Sequence, residues 1–183
     1  RAWLEDFAAR HRNVHAIRHD RPVGYTRAAN AGLRAAEADM AILLNSDTVV
    51  RPGAFQRLVE YLDAHPEVGA VGPTLRYPDG RLQPSCFSFH TPWRSLCDMS
   101  GLGSLFPRNR VFGNQQRAFD YDRTGPAETL MGAALVVRRE VIDEVGLLDE
   151  TFSIQANEVD WCFRMHRAGW DRIFVQDAEI MHE

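Results

Sequence analysis

The sequence contains no lysine and no excess of positive charge. Its 21 basic residues are all arginine, they are outnumbered by 25 acidic residues, and the formal net charge is -4. The arginines are scattered along the chain rather than gathered in a block, so the basic footprint of a nucleic-acid-binding protein is missing. We therefore expect no nucleic-acid partner.

Cysteines and long apolar runs are also scarce. Cys86, Cys97 and Cys162 form an odd set without a CxxC pair, which indicates neither a disulfide framework nor a zinc knuckle and favours a reducing compartment. No apolar stretch approaches the roughly 18 residues that a membrane-spanning helix needs. The sequence therefore predicts a soluble, cytoplasmic chain.

The length and composition are those of one globular domain. A chain of 183 residues, of which 45% are hydrophobic and 25% charged, can bury a sizeable core. It starts at Arg1, already within the helical spacing of Trp3, Leu4 and Phe7, and has no initiator methionine or signal peptide. We predict a single domain over residues 1–183 that is a fragment of a longer protein.

Helical and short apolar segments alternate through the first half of the chain. The pattern predicts helices to Arg10, over 25–36 and over 54–64, with strands at 14–17 and 40–44. Such alternation favours an α/β fold with a mostly parallel sheet. The later segments predict strands near 70–72, 130–137 and 172–175, a hairpin turn at 77–81, a partly helical excursion over 91–124, and helices over 140–145 and 158–168.

A carboxylate follows the apolar strand that ends at Leu44. Asn45, Ser46 and Asp47 come directly after this strand, and ligands of open α/β sheets bind at the carboxyl ends of the strands. Asp47 at that edge can face a metal ion bound to phosphate. Aspartate and serine after a strand are also common caps and turn residues, so this segment alone leaves both interpretations open.

A glycine precedes the predicted helix that carries Arg27 and Asn30. The loop-to-helix junction at Gly24 offers free backbone N–H groups to an anion, and Arg27 adds positive charge. Gly24 also fits a simple turn, Gly32 fits close helix packing, and Arg27 fits a solvated surface. The segment alone does not distinguish a phosphate site from ordinary structure.

Acidic residues also open a predicted helix near the end of the chain. Asn157 is a candidate N-cap, which places Glu158 and Asp160 in the first turn, where the helix dipole favours their ionised forms. A general base must be ionised at rest, but the same acids can simply complement the helix end while Trp161 packs in the core. His182 follows the last predicted strand and fits a metal ligand or an ordinary surface histidine.

In this order and at these separations, the segments resemble the GT-A glycosyltransferases of family 2, within them the bacterial rhamnosyltransferase and galactofuranosyltransferase-like branch. The resemblance extends from about Val14 to Glu183. It implies a Rossmann-like GT-A domain with a mixed sheet flanked by helices, cut at both ends because the family's opening strand and C-terminal extension are missing. The motifs are the 24–32 helix, LLNSD at 43–47, TLMGAA at 129–134, RRE at 138–140, VGLLDETF at 145–152, EVDWCFR at 158–164 and His182.

The resemblance implies a donor and metal site. Asp47 matches the metal-binding end of the family's Asp-x-Asp motif, and His182 matches the position that completes the site for Mg²⁺ or Mn²⁺. Asn45 stands where the first acid is usual, and its amide can bind a ribose hydroxyl or the metal without adding negative charge. Gly132 and Ala133 match a small-residue segment that borders the donor sugar.

The resemblance also implies a base and an acceptor side. Glu158 matches the acid that takes the proton from an acceptor hydroxyl as its oxygen attacks the anomeric carbon with inversion. Asn157, which replaces an acid of the usual motif, is expected on the acceptor side with Asp160 and Trp161. Asp160 also fits a helix-orienting role, and Trp161 also fits the core.

These roles together imply transfer from a nucleotide-diphosphate sugar, dTDP- or UDP-linked, to a cell-envelope glycan or a lipid-linked acceptor. Such an enzyme would work in the cytoplasm, at the inner face of the plasma membrane, with peripheral attachment through segments that the sequence lacks. Two alternatives remain open. One is a domain that binds a nucleotide sugar without turnover, as Asn45 and Asn157 suggest, and the other is a sugar nucleotidyltransferase on a similar sheet.

Overall fold

The computed structural model of the protein describes residues 2–89, 91–101, 105, 119–152 and 156–183. Within these ranges, no helix is both long and apolar enough to cross a membrane. The helices are α1 (Ala2–Arg10), α2 (Tyr25–Ala35), α3 (Ala54–Ala64), α4 (Pro92–Met99), α5 (Arg139–Val145) and α6 (Asn157–Arg167). The strands are β1 (Met40–Leu44), β2 (Thr48–Val50), β3 (Val68–Arg76), β4 (Leu82–Gln83), β5 (Cys86–Phe87), β6 (Gly125–Pro126), β7 (Thr129–Leu130), β8 (Ala134–Arg138) and β9 (Asp171–His182).

One mixed sheet organises these elements in the order β1-β8-β3-β9-β2, with β4 beside β3 and β6 beside β9. β8 is antiparallel to both β1 and β3, and β3 is parallel to β9, so β1, β3 and β9 run in one direction. Their carboxyl ends, together with the start of β8, form one side of the sheet, which we call the carboxyl edge. A second, two-stranded sheet pairs β5 with β7.

The α/β class and the mixed sheet agree with the sequence prediction, but the expected mostly parallel pairing does not. In the described part of the sheet, β3 and β9 are the one parallel pair of neighbours. β8 enters antiparallel between β1 and β3. Alternation of helices and strands predicts the common direction of β1, β3 and β9, whereas the insertion of β8 depends on long-range pairing that local pattern does not encode.

Helices cover both faces of the sheet, so the central strands bury side chains on both sides. Eight of the nine residues of β3 are buried, as expected for a strand between two helical layers. On one face, Leu58 of α3 belongs to a core with Val71 and Val136. On the other face, Trp161 of α6 belongs to a core with Phe174. Successive residues of a strand point to opposite faces of the sheet, so a residue such as Val71 faces the α3 side and a residue such as Phe174 faces the α6 side.

Most predicted elements are confirmed, but the strand predicted at 14–17 is not. This segment lies outside the sheet, and Ile17 is 48% exposed. Its apolar residues suggested a strand, yet no strand in the described ranges pairs with it, and an unpaired segment leaves its backbone groups to water. The predicted turn at 77–81 does join β3 to β4, with Gly80 at a φ of 83°.

Three further differences concern lengths and breaks. The strand predicted at 130–137 is divided into β7 and β8 by the turn at 131–133. The strand predicted at 172–175 continues to His182 as β9, where the short strand β2, absent from the prediction, pairs with it. The predicted excursion over 91–124 contains α4, and its residues 102–104 and 106–118 lie outside the described ranges.

The tight packing at Gly69 predicts a stability difference between two glycine variants. A Cβ at Gly69 would lie 2.8 Å from Val141 Cγ2 and 2.9 Å from Trp170 Cβ. We expect Gly69→Ala to lower the free energy of unfolding by about 1–3 kcal/mol, as overpacked cores do, in urea denaturation. Gly32→Ala in α2 is the control: nothing lies within 4 Å of its added Cβ, and alanine should stabilise the helix by roughly 0.5–1 kcal/mol. Equal stabilities would contradict the close approach at β3.

Candidate functional site

The turn after β1 lies at the carboxyl edge between two neighbouring strand ends. The Asn45 N–H donates to the Ala133 carbonyl at 2.9 Å and so extends the β1–β8 ladder by one residue. The Thr48 hydroxyl donates to the Asn45 carbonyl at 2.7 Å and closes the turn. Thr48 then pairs with His182 in the β2–β9 ladder. The turn therefore brings Asp47 to the end of β9.

Asp47 and His182 lie beside each other at this turn. Asp47 Oδ1 is 3.5 Å from His182 Nε2, and Asn45 Nδ2 is 3.3 Å from the same nitrogen. The Asp47 side chain is 49% exposed, whereas that of His182 is 13% exposed. The structure thus brings together the residues predicted from the sequence to hold a metal, with a solvent-facing carboxylate next to a largely buried imidazole.

The spacing of Asp47 and His182 fits two ligands of one ion. Neighbouring ligands of an octahedral ion with bonds of about 2.1 Å lie about 3 Å apart, close to the 3.5 Å between Asp47 Oδ1 and His182 Nε2. Manganese accepts carboxylate oxygens, and an imidazole nitrogen suits transition-metal ions better than it suits Mg²⁺. Among the described residues, no group of three or more His, Cys, Asp or Glu side chains is placed to hold a metal. Asn45 presents its amide nitrogen, a donor, to His182 Nε2 at 3.3 Å, so water is an oxygen ligand available to an ion at this position.

Glu158 lies at the start of α6, next to Gly132 at the carboxyl edge. A Cβ added to Gly132 would be 3.8 Å from Glu158 Cβ and 3.8 Å from the Tyr25 hydroxyl oxygen. Burial raises the pKa of Glu158, and a backbone hydrogen bond opposes this only in part. Burial and the nearby Glu158 charge also raise the pKa of Tyr25. The site therefore holds a partly desolvated carboxylate whose proton affinity is increased.

Tyr25 is a neighbour of this carboxylate that sequence reasoning missed as a site residue. Its hydroxyl donates to the Gly132 carbonyl at 3.4 Å. Tyr25 and Gly132 are 107 residues apart, so no local spacing marks them as partners. The only available signal was that Tyr25 directly follows Gly24 at the start of a predicted helix.

The Asn157 side chain is buried beneath the start of α6. Asn157 is 2% exposed, its Nδ2 donates to the Thr26 hydroxyl at 3.1 Å, and its Oδ1 accepts from the Glu158 N–H at 2.7 Å. The cap of α6 is Ala156, with a φ of 66° that is uncommon for a residue with a side chain. This corrects two expectations: Asn157 is not the cap, and its buried side chain bonds the Glu158 backbone and the Thr26 hydroxyl instead of facing an acceptor.

The α2 residues predicted to bind the donor already have structural partners. Asn30 is 1% exposed, its Nδ2 donates to the Leu148 carbonyl at 2.8 Å, and its Oδ1 accepts from the Leu148 N–H at 3.1 Å. Asn30 therefore joins α2 to the 148 loop and is not available to a donor, which corrects that prediction. Gly24 precedes α2 at a φ of 82°, a turn conformation suited to glycine. Arg27 Nε lies 3.3 Å from Glu150 Oε2, and its exposed side chain leaves a donor contact as a prediction.

The remaining predicted acceptor residues support α6 itself. Trp161 is fully buried and its Nε1 donates to the Gly146 carbonyl at 2.8 Å, so Trp161 belongs to the core and not to an acceptor surface. Asp160 Oδ2 accepts from Arg164 Nε at 2.8 Å, and Arg164 Nη2 donates to the Leu147 carbonyl at 2.8 Å. Asp160 thereby helps to fix α6 against the 145–147 segment, which is the helix-orienting role that the sequence also allowed.

Gln83 contacts His182 from the side opposite Asp47. His182 Nδ1 is 2.9 Å from Gln83 Oε1, and Gln83 is 8% exposed. Sequence reasoning missed this residue because it lies 99 positions from His182. Only the β3–β4 hairpin, which pairs Gln83 with Leu75, brings it to the carboxyl edge.

Comparison with known proteins identifies a family and several relatives. The family model described as glycosyltransferase like family 2 matches residues 1–183. The N-acetylglucosaminyl-diphospho-decaprenol L-rhamnosyltransferase of Mycobacterium tuberculosis is 32% identical over 148 residues, which are 79% of this chain and 47% of the relative. The O-antigen biosynthesis protein RfbC of Myxococcus xanthus is 26% identical over 171 residues, which cover 89% of this chain and 12% of the relative. The chain thus spans half or less of these relatives' length.

Solved structures share the fold. GalNAc-T7 with UDP, GalNAc and Mn²⁺ aligns with a TM-score of 0.62 and 15% identity, over 91% of this chain and 31% of that one. The mannosyltransferase PcManGT from Pyrobaculum calidifontis, in complex with GDP-Man and Mn²⁺, aligns with a TM-score of 0.62 and 16% identity, over 99% of this chain and 43% of that one. These likenesses establish the GT-A fold predicted from the sequence.

Burial of the Glu158 carboxylate predicts a pH-dependent stability difference. Because its pKa is raised in the folded chain, the folded state holds this proton more tightly than the unfolded state, and stability is lost as the pH rises through the raised pKa. We expect Glu158→Gln to unfold at a higher temperature than the unsubstituted chain at a pH of about 7.5, with the difference vanishing as acid neutralises the carboxyl group. Thermal unfolding over a pH series measures this difference.

Glu37→Gln is the matched control, because Glu37 is exposed. It should show no stabilisation of this kind at neutral pH. A Glu158→Gln variant that is less stable than the unsubstituted chain at neutral pH would contradict the inferred cost of the buried charge.

Proposed function

The chain belongs to glycosyltransferase-like family 2, and on that premise we propose that it is the catalytic domain of an inverting glycosyltransferase. The enzyme moves a sugar from a nucleotide-diphosphate donor to a hydroxyl group of an acceptor. One observation carries the proposal. The Ala133 carbonyl accepts a hydrogen bond from the Asn45 N–H in the turn that holds Asp47, while the adjacent Gly132 lies against Glu158. A candidate metal site and a candidate base therefore meet at two consecutive residues.

Glu158 is the proposed general base. Its burial and raised pKa increase its ability to take a proton, and the Asn157 side chain holds the backbone of its helical turn. The acceptor oxygen attacks the anomeric carbon as the bond from that carbon to the diphosphate oxygen breaks. Glu158 receives the acceptor's proton, the nucleoside diphosphate leaves with the bonding electron pair, and the anomeric configuration inverts.

Asp47 and His182 are the proposed ligands of a divalent ion, and the Asn45 amide nitrogen lies 3.3 Å from His182 Nε2. Such an ion would neutralise charge on the departing nucleoside diphosphate. The Mn²⁺ and nucleotides named with the two structural neighbours support this cofactor class. Because Asn45 is uncharged, we propose that the chain binds the ion less tightly than a site with two carboxylates would.

The donor and acceptor classes are proposed from the residues and the relatives. Gly132 is small enough to let a donor sugar approach between the Asp47 turn and Glu158, whereas the Ala133 side chain is 3% exposed and belongs to the core with Val136, which corrects its predicted place beside the donor. A relative named for rhamnosyl transfer to a diphospho-decaprenol compound and another named for O-antigen biosynthesis support a lipid-linked or cell-envelope glycan acceptor. We propose a dTDP- or UDP-linked donor and a place of action at the inner face of the plasma membrane.

Substitution of Glu158 by glutamine separates catalysis from donor binding. We expect Glu158→Gln to lower kcat by about 10²–10⁴-fold, the usual contribution of a general base, because the amide keeps the shape of the side chain but cannot take the proton. Donor affinity should stay close to that of the unsubstituted protein. Transfer and donor hydrolysis are measured with Mn²⁺ and candidate nucleotide sugars, and binding is measured by calorimetry.

The exposed Glu37→Gln variant is the control and should keep full activity. Full transfer by Glu158→Gln would remove Glu158 from the base role. A protein that binds a nucleotide sugar but shows neither hydrolysis nor transfer would support instead the binding-only alternative that Asn45 motivates.

The raised pKa of Glu158 also predicts the acid limb of the pH–rate profile. The base works only when ionised, so kcat/KM should fall as the pH drops through the raised pKa, at a pH above the ordinary glutamate value of about 4.3. The profile is measured at saturating Mn²⁺, so that loss of the metal ion does not cause the decrease in kcat/KM at low pH. An inflection at or below the ordinary glutamate value would contradict a desolvated base.

A further inference from the structure

We propose that Gln83 is a positioning residue that selects the tautomer of His182 and aims its Nε2 lone pair at the metal site, an inference that rests on the proposed function of that site. Gln83 Oε1 lies 2.9 Å from His182 Nδ1. An amide oxygen can only accept a hydrogen bond, so the neutral ring must carry its proton on Nδ1. Nε2 is then left with a free electron pair.

The surroundings of Nε2 agree with this assignment. Asn45 Nδ2, an amide donor, lies 3.3 Å from His182 Nε2, a contact that suits a nitrogen with an available electron pair. Nε2 also lies 3.5 Å from Asp47 Oδ1, on the exposed side of the site. The two amides therefore favour the same tautomer, one from each side of the ring.

Asp47 acts on His182 in the opposite sense. A carboxylate beside Nε2 favours a proton on that nitrogen, because Nε2–H could then donate to it. That tautomer would leave no electron pair on Nε2 for an ion. The hydrogen bond to Gln83 opposes this preference for the Nε2–H tautomer, because it favours the proton on Nδ1.

The position of Gln83 is rigid enough for this task. It is 8% exposed, and its backbone in β4 pairs with Leu75 at the end of the buried strand β3. His182 is itself fixed by the pairing of β9 with Thr48. Partners behind a metal-binding histidine fix its ring orientation, and their loss typically weakens metal binding about 10–100-fold.

The first test reads the tautomer without any metal. In ¹⁵N-labelled protein at a pH of about 8.5, above the ordinary imidazole pKa, two-bond ¹H–¹⁵N spectra of His182 should show a protonated Nδ1 and an unprotonated Nε2. Gln83→Leu, which removes the acceptor at similar size, should shift the ring toward the Nε2–H form. Gln83→Glu, which keeps an acceptor oxygen, should retain the Nδ1–H form.

The second test measures Mn²⁺ affinity by electron paramagnetic resonance of the free ion, with and without UDP. We expect Gln83→Leu to weaken Mn²⁺ binding about 10–100-fold, Gln83→Glu to restore it, and Gln56→Leu, at an exposed glutamine of α3, to leave it unchanged. Circular dichroism confirms that each variant is folded.

The outcomes separate this inference from the proposed function. An Nε2–H tautomer in the unsubstituted protein, or equal Mn²⁺ affinity in Gln83→Leu, overturns the role of Gln83. Absence of Mn²⁺ binding by the unsubstituted protein, with and without UDP, overturns the proposed metal site, and the tautomer measurement still decides whether Gln83 orients the ring.

Discussion

The backbone of Gly132 and Ala133 is the contact on which the arrangement of the site depends. The Ala133 carbonyl receives the Asn45 N–H, and Gly132 lies against Glu158 and Tyr25. These two residues lead directly into β8, which pairs with β1 on one side and with β3 on the other. The turn that holds Asp47 and the helix that holds Glu158 therefore both contact the short segment between β7 and β8, where Gly132 lies beside Glu158 without a side chain of its own.

Buried amide side chains hold the groups to which chemistry is assigned. Asn157 bonds the backbone of Glu158, and Gln83 bonds the ring of His182. Asn30 connects α2 to the backbone of Leu148 in the same way. A neutral amide can donate and accept at once, so it fixes a neighbour without adding a buried charge, which is costly in the interior. The buried amides thus hold their neighbours from the interior, and the Asp47 carboxylate lies on the exposed side of the site.

Local sequence pattern predicted the elements that carry the site but not their partners. The apolar run that ends at Leu44 and the acids that open α6 mark strand and helix ends because those ends have distinct chemical requirements. The same pattern could not tell which way a side chain points, so Trp161 and Asn30 proved to be buried. The pairing of β2 with β9, and the contacts of Gln83 and Tyr25, join residues 99 to 134 positions apart and arise only when the sheet forms.

The most direct measurement of a shared site is paramagnetic broadening of backbone amide signals by Mn²⁺ with UDP, with Mg²⁺ as the diamagnetic reference. We predict the strongest broadening at Asp47 and His182, followed by Gly132 and Glu158, because the Asn45–Ala133 hydrogen bond and the contact of Gly132 with Glu158 join these residues through two consecutive positions. Strongest broadening at other exposed acids such as Asp120 and Asp122, with the Glu158 signal unchanged, would contradict a single site formed by the metal residues and the base.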